Sequence, residues 1–466
     1  MNSNFVDKYK NKNVHIIGVS GSEGSGILRY LLKHNFSKIT AHDFIDRENL
    51  AKSFRMWHKD TDLLSKTNAL KNFLRDIEKI AFNDRKDYLK DILKSDLIFV
   101  PQSWRLYKKE NLALTEASRK KIPFYSLTRL YLEQSYAKTI AVTGTVGKGS
   151  TANMIHQLLV LTGHNSYFAG NETWRMQVAD RLDEMSGDDY LVLEISHRQL
   201  QDGLDKGPDI AVYTNIYPNH LDETTTTEYY KLKEKLFIAQ SSSQSAILNY
   251  DFEQIRWVAK KIKSEVVFFS SKQQSLNTKN IQKYYNEIMN IKSTQYTDNI
   301  LSALTVLDKI GFKITNFISL LSKIKPLPAR LELIQQLSGR HFINDIKSTT
   351  PYATLHALVK VKQPVILICG GHSKNLSYQD FFLSISPRLK KLIIVKSDLS
   401  YLAQKYLSKI NYLIVEDLEQ GIQEAFKISD MGDTILTSPA GSFFYSDFIR
   451  NKKSLRRIIT SLPPKD

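Results

Sequence analysis

Cysteine is almost missing from this sequence: the 466 residues contain one, Cys369. A single thiol excludes a disulfide within the chain and any zinc site built on cysteines, and it fits a reducing compartment. Long hydrophobic runs are missing too. No stretch approaches the roughly 18 consecutive apolar residues of a membrane-spanning helix, and the opening Met1–Lys12 is polar, with no apolar core of the signal-peptide kind. A cytoplasmic protein without membrane partners is therefore expected. Internal repeats and low-complexity segments are also absent, which leaves ordinary globular domains. Acidic residues are under-represented, 48 against 65 Lys and Arg, for a formal charge of +17. That excess could mark a nucleic-acid binder or attract anionic substrates. The basic residues are spread along the whole chain, however, so a general bias toward lysine accounts for them, and no nucleic-acid partner is expected.

Hydrophobic residues make up 42% of the chain and charged residues 24%, ordinary values for globular domains with packed cores. The length suggests two to four domains at roughly 100–200 residues each. Apolar strand runs alternate with helical patterns in three blocks. The first starts at Val14–Gly18, passes a Gly/Ser turn and a helix over Gly26–His34, and continues through strands at Lys38–Ala41 and Leu97–Val100. The charged stretch 46–95 reads as helices on a solvated surface. The second block opens with a strand at Thr139–Val142, followed by strands at Tyr190–Ile195, Ile210–Thr214, Ser245–Leu248 and Val266–Phe269. The polar stretch 270–298 reads as a loop or short hairpin, and a helix follows over Asn299–Lys309. Two prolines stiffen Lys325–Pro328 into a linker. Beyond it lie strands at His341–Asn344, Val365–Cys369, Lys391–Val395, Tyr412–Val415 and Thr434–Thr437. Such alternation predicts an α/β protein of three domains: a Rossmann-like N-terminal sheet over 1–136, a central P-loop ATPase domain over 137–326 and a C-terminal Rossmann-like domain over 327–466. Ligands of such sheets sit at the carboxyl ends of the strands.

The densest chemical signal lies in the run Ile140-Ala141-Val142-Thr143-Gly144-Thr145-Val146-Gly147-Lys148-Gly149-Ser150-Thr151. An apolar strand enters a glycine-rich turn, and a helix is expected from about Ser150. Glycines let backbone N–H groups close around phosphate oxygens, and the helix N-terminus adds positive potential. Lys148 is placed to reach the outer phosphates of a nucleotide, and a hydroxyl of Ser150 or Thr151 to ligate Mg²⁺. Gly149 separates the lysine from the hydroxyls, a departure from the strict G-x-x-x-x-G-K-S/T string; a plain strand–turn–helix glycine loop is the alternative. Further along, Glu194 follows an apolar run, so its carboxylate should emerge at a strand end, where it suits a hard divalent cation. His220 follows the rigid Tyr217-Pro218 pair, and Lys233 lies in the helical run 228–240 among other lysines.

These segments, in this order, resemble the Mur ligase and folylpolyglutamate synthase superfamily. Leu193–Leu200 is similar to its strand end with an acidic Mg²⁺ ligand, and Thr214–Asp222 to its T-N-I-x-P-D-H-L-D segment. Leu327–Glu332 resembles its L-P-H-R-x-E junction, and Phe342–Pro351 its F-I-N-D-S-K-A-T-N-P segment. The resemblance covers blocks two and three. It implies an ATP-dependent ligase that converts a carboxylate to an acyl phosphate and joins it to an amine. ATP and Mg²⁺ would be the cofactors, and the nearest branch implies UDP-muramoyl-alanine and D-glutamate as small-molecule substrates, in peptidoglycan synthesis, with the protein a monomer.

The same resemblance implies the site residues. Lys148, His220 and Lys233 would be catalytic, with Lys233 carbamylated as in several members. Gly144, Thr145, Gly147, Gly149, Thr151, Asn299, Arg330 and Asp345 would hold the nucleotide, Arg330 by phosphate and Asp345 by ribose. Ser150, Glu194, His220 and Lys233 would hold metal, Asn215 would orient a phosphate or a metal-bound water, and Asp222 would support His220. Asn171, in a matching G-N pair, would face the sugar substrate. Lys347, Thr349, Lys374 and Ser442 would bind the amino acid, with Phe448 as a candidate packing partner. For Lys233 and Lys374 a solvated lysine is the alternative, for Asn299 a simple helix start, and for Arg330 and Asp345 a domain-junction salt bridge. Block one departs most, in its glycine loop Gly18–Gly26 and in Val100–Trp104. In block two, His197-Arg198 stands where the family usually has serine and phenylalanine. A paralogue with another carboxylate substrate remains open on those grounds.

Overall fold

The computed structural model describes residues 5–58, 62–171, 176–291, 296–313, 317–407, 412–442 and 455–463. Three parallel or mostly parallel sheets follow one another along the chain. The first contains β1 (Asn13–Ile17), β2 (Lys38–His42), β3 (Ala81–Asn83), β4 (Leu97–Phe99) and β5 (Phe124–Tyr125), in the order β3-β2-β1-β4-β5. The second contains β6 (Lys138–Thr143), β7 (Ser166–Gly170), β8 (Tyr190–Glu194), β9 (Ile210–Tyr213), β10 (Ser245–Asn249) and β11 (Glu265–Phe269), in the order β11-β10-β9-β6-β8-β7, every pairing parallel. The third contains β12 (Glu332–Leu337), β13 (Arg340–Asn344), β14 (Val365–Gly370), β15 (Lys391–Val395), β16 (Tyr412–Val415) and β17 (Thr434–Ala440), in the order β12-β13-β17-β14-β15-β16.

The central strands are buried on both faces because helices cover both, so they read as continuous apolar runs rather than alternating ones. Ile140–Val142 on β6 and Leu191–Leu193 on β8 are fully buried. On one face, the helix Lys148–Leu161 packs against the helix Thr297–Lys309, which contributes Ile300, Leu301, Leu304 and Leu307 to a shared apolar cluster. On the other, a single cluster runs from Phe5 through Tyr131 to Val258, so the first and second sheets are joined by continuous packing. Arg29 reinforces the joint through Asp180 at 3.3 Å, and the Tyr131 hydroxyl does so through Gln177 at 3.0 Å. The third sheet meets the second through a stack of Tyr217 on Tyr352, with ring centroids 4.5 Å apart.

Two elements differ from the sequence expectation. The stretch 270–298 is not a hairpin: Lys279–Met289 is a helix, capped by Thr278, whose hydroxyl accepts from the Ile281 N–H, and buried through Ile281, Tyr285 and Ile288. Ile281, Tyr284, Tyr285 and Ile288 recur at helical spacing, but the polar composition around them reads as a loop. The strand β12 was also unforeseen. It pairs antiparallel with β13 across Ser338-Gly339, both at positive φ (47° and 72°), the backbone of a tight two-residue hairpin. The phosphate-loop helix begins at Lys148, two residues before the expected Ser150. Cys369 is sealed inside β14. No helix among the described residues is long and apolar enough to cross a membrane.

The shared helix pair predicts a large stability cost for truncation. Leu301→Ala removes a fully buried side chain and should lower unfolding free energy by about 2–5 kcal/mol, read as a shift of the urea midpoint.

Candidate active site

The carboxyl ends of β6, β8 and β9 converge where the strand order reverses, the place where open α/β sheets bind ligands. Thr143 at the end of β6 leads into the glycine loop, where a side chain at any of three glycines would force a neighbour to move. A Cβ on Gly144 would lie 2.1 Å from the Thr214 hydroxyl, on Gly147 2.4 Å from Asn299 Oδ1, and on Gly149 2.5 Å from Glu194 Oε2. Gly147 also has φ +79°, a left-handed conformation unfavourable for side chains. Asn215, just beyond β9, ties the loop down. Its Oδ1 accepts the N–H groups of Thr145 (3.1 Å) and Val146 (2.8 Å), and its Nδ2 donates to the Val146 carbonyl (2.8 Å). The amide of Asn215 is thus committed to the loop, not to a phosphate or a metal-bound water.

A cavity of about 210 Å³ opens at this point, lined by Thr145–Gly149, Glu194, His197, His220, Lys233 and, from the third sheet, Arg330 and Lys347. Its floor is cationic. Lys148 folds back to donate to the Thr145 carbonyl at 3.2 Å, and burial pulls its pKa down, opposed by Glu194 and aided by Arg330. Lys233 is held by a helix (Thr226–Ile238) that starts on a capping box between Thr225 and Glu228. Its Nζ donates to Thr143 Oγ1 at 3.4 Å and sits 4.9 Å from the Tyr229 ring centroid. Among the described residues it has no carboxylate at ion-pair distance. Burial, followed by the nearby Lys148 charge, drives its pKa far below the usual lysine value, against the pull of Glu194. An unpaired buried amine is costly as a cation, so Lys233 is held toward its neutral form.

Glu194 ends β8 with Oε1 accepting from Asn171 Nδ2 at 2.9 Å, and the Asn171 N–H bonds the Glu194 carbonyl at 2.8 Å. His220 sits in a left-handed backbone conformation, φ 57°. Its Nδ1 faces Glu223 Oε1 at 3.1 Å, and burial lowers its pKa to about 4, opposed by Glu223. Asp222 does not support His220: its carboxylate instead faces His372 Nε2 across to the third sheet, at 3.2 Å. Two residues of this wall escaped the sequence assignment. His197 lies against His220 with tilted rings and centroids 4.4 Å apart, and Arg198 is ion-paired with Glu223. Their only signal was a departure from the family pattern.

A second cavity, of about 320 Å³, adjoins the loop at Val146 and is lined by Asn215, Tyr217, Phe252, Tyr296, Asn299 and His356, among others. Its aromatic and amide lining suits a flat heterocycle. Asn299 lies on its wall with a buried Nδ2 that has no hydrogen-bond partner in the described residues. Ser150 and Thr151 lie behind the loop on the first turn of the helix and line neither cavity. Asp345 lines neither as well: its carboxylate accepts from the Leu331 N–H (3.2 Å) and the Ser438 hydroxyl (2.8 Å), and burial raises its pKa to about 6. Arg330 does face the first cavity, donating to the Lys347 carbonyl at 2.9 Å while its buried Nε has no partner in the described residues. Thr349 lines the same cavity and accepts from Lys374 Nζ at its carbonyl (3.1 Å) and hydroxyl (3.3 Å). Burial lowers the Lys374 pKa to about 8. Ser442 stands apart from the cavity, bridged to His372 through both backbone amides. Phe448 lies outside the described residues.

A third cavity, of about 370 Å³, belongs to the first sheet. It is framed by the Gly18–Gly24 loop and by Phe44, Tyr88, Trp104 and Tyr107, and it reaches Asn171 and Arg198 of the second. Two carboxylates face it: Asp43, accepting the Ser20 N–H at 2.9 Å, and Glu23, accepting the Gln102 N–H at 2.8 Å.

A glycine phosphate loop at the switch point of a central parallel sheet, with cations arriving from a third sheet, defines a three-domain nucleotide-binding enzyme. The sequence pattern of the Mur ligase middle domain matches residues 142–315. The UDP-N-acetylmuramoylalanine--D-glutamate ligase of Bacillus subtilis (strain 168) is 30% identical over 348 residues, spanning 71% of this chain and 76% of that one. The enzyme of the same name from Acetivibrio thermocellus is 26% identical, spanning 99% and 98%. Among solved structures, the UDP-N-acetylmuramate-alanine ligase of Thermotoga maritima superposes with a TM-score of 0.57 at 15% identity, covering 95% of this chain and 99% of that one. The MurF ligase of the same organism, in complex with ADP, gives 0.53 at 16% identity, covering 82% and 90%. The chain belongs to the Mur ligase family.

The tight loop yields a direct test. Gly147→Ala places a methyl group against Asn299 in a left-handed backbone, worth about 1–2 kcal/mol of strain before any clash. ADP affinity by calorimetry should fall about tenfold or more, with the circular dichroism spectrum unchanged; unaltered affinity would show that the loop does not cradle phosphate.

Proposed function

We propose that this chain is an ATP-dependent ligase that adds D-glutamate to UDP-N-acetylmuramoyl-L-alanine through an acyl phosphate, as a cytoplasmic step of peptidoglycan synthesis. The observation that carries the reading is the convergence of Lys148, Glu194, His220 and Lys233 with Arg330 and Lys347 on one cavity. The name of the relatives that align over most of the chain supports the particular substrates. On this reading residues 1–136 bind the sugar nucleotide, 137–326 bind ATP, and 327–466 bind the amino acid.

The cavity wall supplies what the reaction needs. The loop N–H groups and Lys148 hold the phosphates, and the aromatic cavity beside Asn299 takes the base. The substrate carboxylate attacks the γ-phosphorus, the bond to the ADP oxygen breaks, and the charge spreading over the phosphoryl oxygens is met by Lys148 and Arg330. The amine of D-glutamate then attacks the acyl carbon, inorganic phosphate leaves, and the amine gives up a proton. The residues also fit Mg²⁺: Glu194 presents a buried carboxylate beside the loop, and His220 a neutral imidazole. A bound cation would supply charge neutralisation of the phosphates, held by Glu194 and His220. The neutral amine enforced on Lys233 is the form that adds carbon dioxide, so carbamylation would turn it into a further anionic ligand.

A second reading keeps this chemistry and changes the carboxylate substrate. It is favoured by the carboxylates of Glu23 and Asp43 in the third cavity, where a diphosphate would meet negative charge.

Incubation with UDP-N-acetylmuramoyl-L-alanine, D-glutamate and ATP should release ADP in step with amide product. ADP release no higher than with either substrate omitted would sink the specific assignment. For the amino acid, Lys374 is cationic below about pH 8 and neutral above. If it holds the side-chain carboxylate, the KM for D-glutamate should rise several-fold between about pH 7 and about pH 9 while the KM for ATP stays level. Lys374→Arg, charged throughout, should flatten that profile; a flat wild-type profile excludes the role.

A further inference from the structure

Three side chains at the mouth of the first cavity are gathered as metal ligands would be. One donor atom each from His197, His220 and Glu223 lies within 4.8 Å of the other two. The imidazole centroids lie 4.4 Å apart with the rings tilted by 33°, and His220 Nδ1 stands 3.1 Å from Glu223 Oε1. A second observation points to a ligand. His197 is 5% exposed, and its Nε2 is buried with no hydrogen-bond partner among the described residues. A buried orphan ring nitrogen is costly unless something completes it. His220 occupies a left-handed backbone conformation, φ 57°, which costs a side-chain-bearing residue some energy. Arg198 holds Glu223 through both oxygens, its Nε 3.0 Å from Oε2 and its Nη2 on Oε1, the oxygen that also faces His220, which fixes the carboxylate as an anion.

We infer that His197, His220 and Glu223 form a nitrogen-rich divalent-cation site that takes Mn²⁺, Co²⁺ or Zn²⁺ in preference to Mg²⁺. Two imidazoles and one carboxylate suit borderline ions, whereas Mg²⁺ is held by oxygen and gives up its water reluctantly. His197, which stands where the family usually has serine, supplies the second imidazole, and His220 would serve this set in place of the one with Glu194. The use of the ion rests on the ligase reading, but its binding does not, so the decisive measurement uses metal alone and no nucleotide.

Pulsed electron paramagnetic resonance on the full chain loaded with Mn²⁺ counts coordinated imidazole nitrogens. Two are expected; one or none overturns the site, whatever the outcome of the ADP-release assay. In His197→Ala the count should drop to one. Loss of an outer-shell partner already weakens metal binding about 10–100-fold, so loss of a direct ligand should weaken Mn²⁺ at least about tenfold, with Mg²⁺ affinity changed less than about twofold. Unchanged Mn²⁺ affinity in a folded His197→Ala protein overturns the proposal equally. Should that variant fail to fold, the nitrogen count on the unaltered chain still decides.

Discussion

The site depends on one side-chain amide. Asn215 accepts two consecutive backbone N–H groups of the phosphate loop and returns a hydrogen bond to the same segment. Without it the loop would be a glycine-rich turn free to sample many backbone states, and each ordered residue costs about 1–2 kcal/mol of conformational entropy. Because Asn215 continues from β9, the loop takes its position from the sheet. Everything nearby then has a fixed reference: Glu194 against Gly149, Asn299 against Gly147, and Lys148 folded over Thr145.

Around that reference the molecule concentrates positive charge and withholds counter-ions. Burial displaces both Lys148 and Lys233 toward neutrality, aided by Arg330 at the first and by Lys148 at the second, with Glu194 opposing at both. Arg330 adds a third cation, its Nε without a partner among the described residues. Such an arrangement is unfavourable for the empty protein and favourable once phosphate arrives, a common balance at functional sites. The third sheet is part of it. The Tyr217–Tyr352 stack and the facing pair Asp222 and His372 hold that sheet over the loop, so cations from different ends of the chain meet in one cavity.

How far the sequence foretold this follows from the range of each interaction. The three blocks were legible because fully buried parallel strands read as apolar runs, and the loop because its glycines, lysine and hydroxyls are contiguous. The cavity residues Glu194, His220, Lys233, Arg330 and Lys347 were found through ordered segments. What escaped depends on contacts between distant residues. Asp222 lies two residues from His220, yet its partner is His372, 150 residues away. Asn215 read as orienting a phosphate or a metal-bound water because nothing local reveals that its amide faces backward into the loop. Asp345 carries the right chemistry but is turned into hydrogen bonds with Leu331 and Ser438. The helix Lys279–Met289 was lost because its run is polar overall, although Ile281, Tyr284, Tyr285 and Ile288 keep helical spacing.

The lone cysteine has a practical consequence. Cys369 is enclosed in β14, and burial pushes its thiol up to about 12, so at neutral pH it is neither accessible nor nucleophilic. The native surface is blank to thiol reagents. A cysteine placed at any exposed position would be the sole labelled point, and one such point on the second sheet with another on the third would let fluorescence report the distance between them in an otherwise unaltered chain.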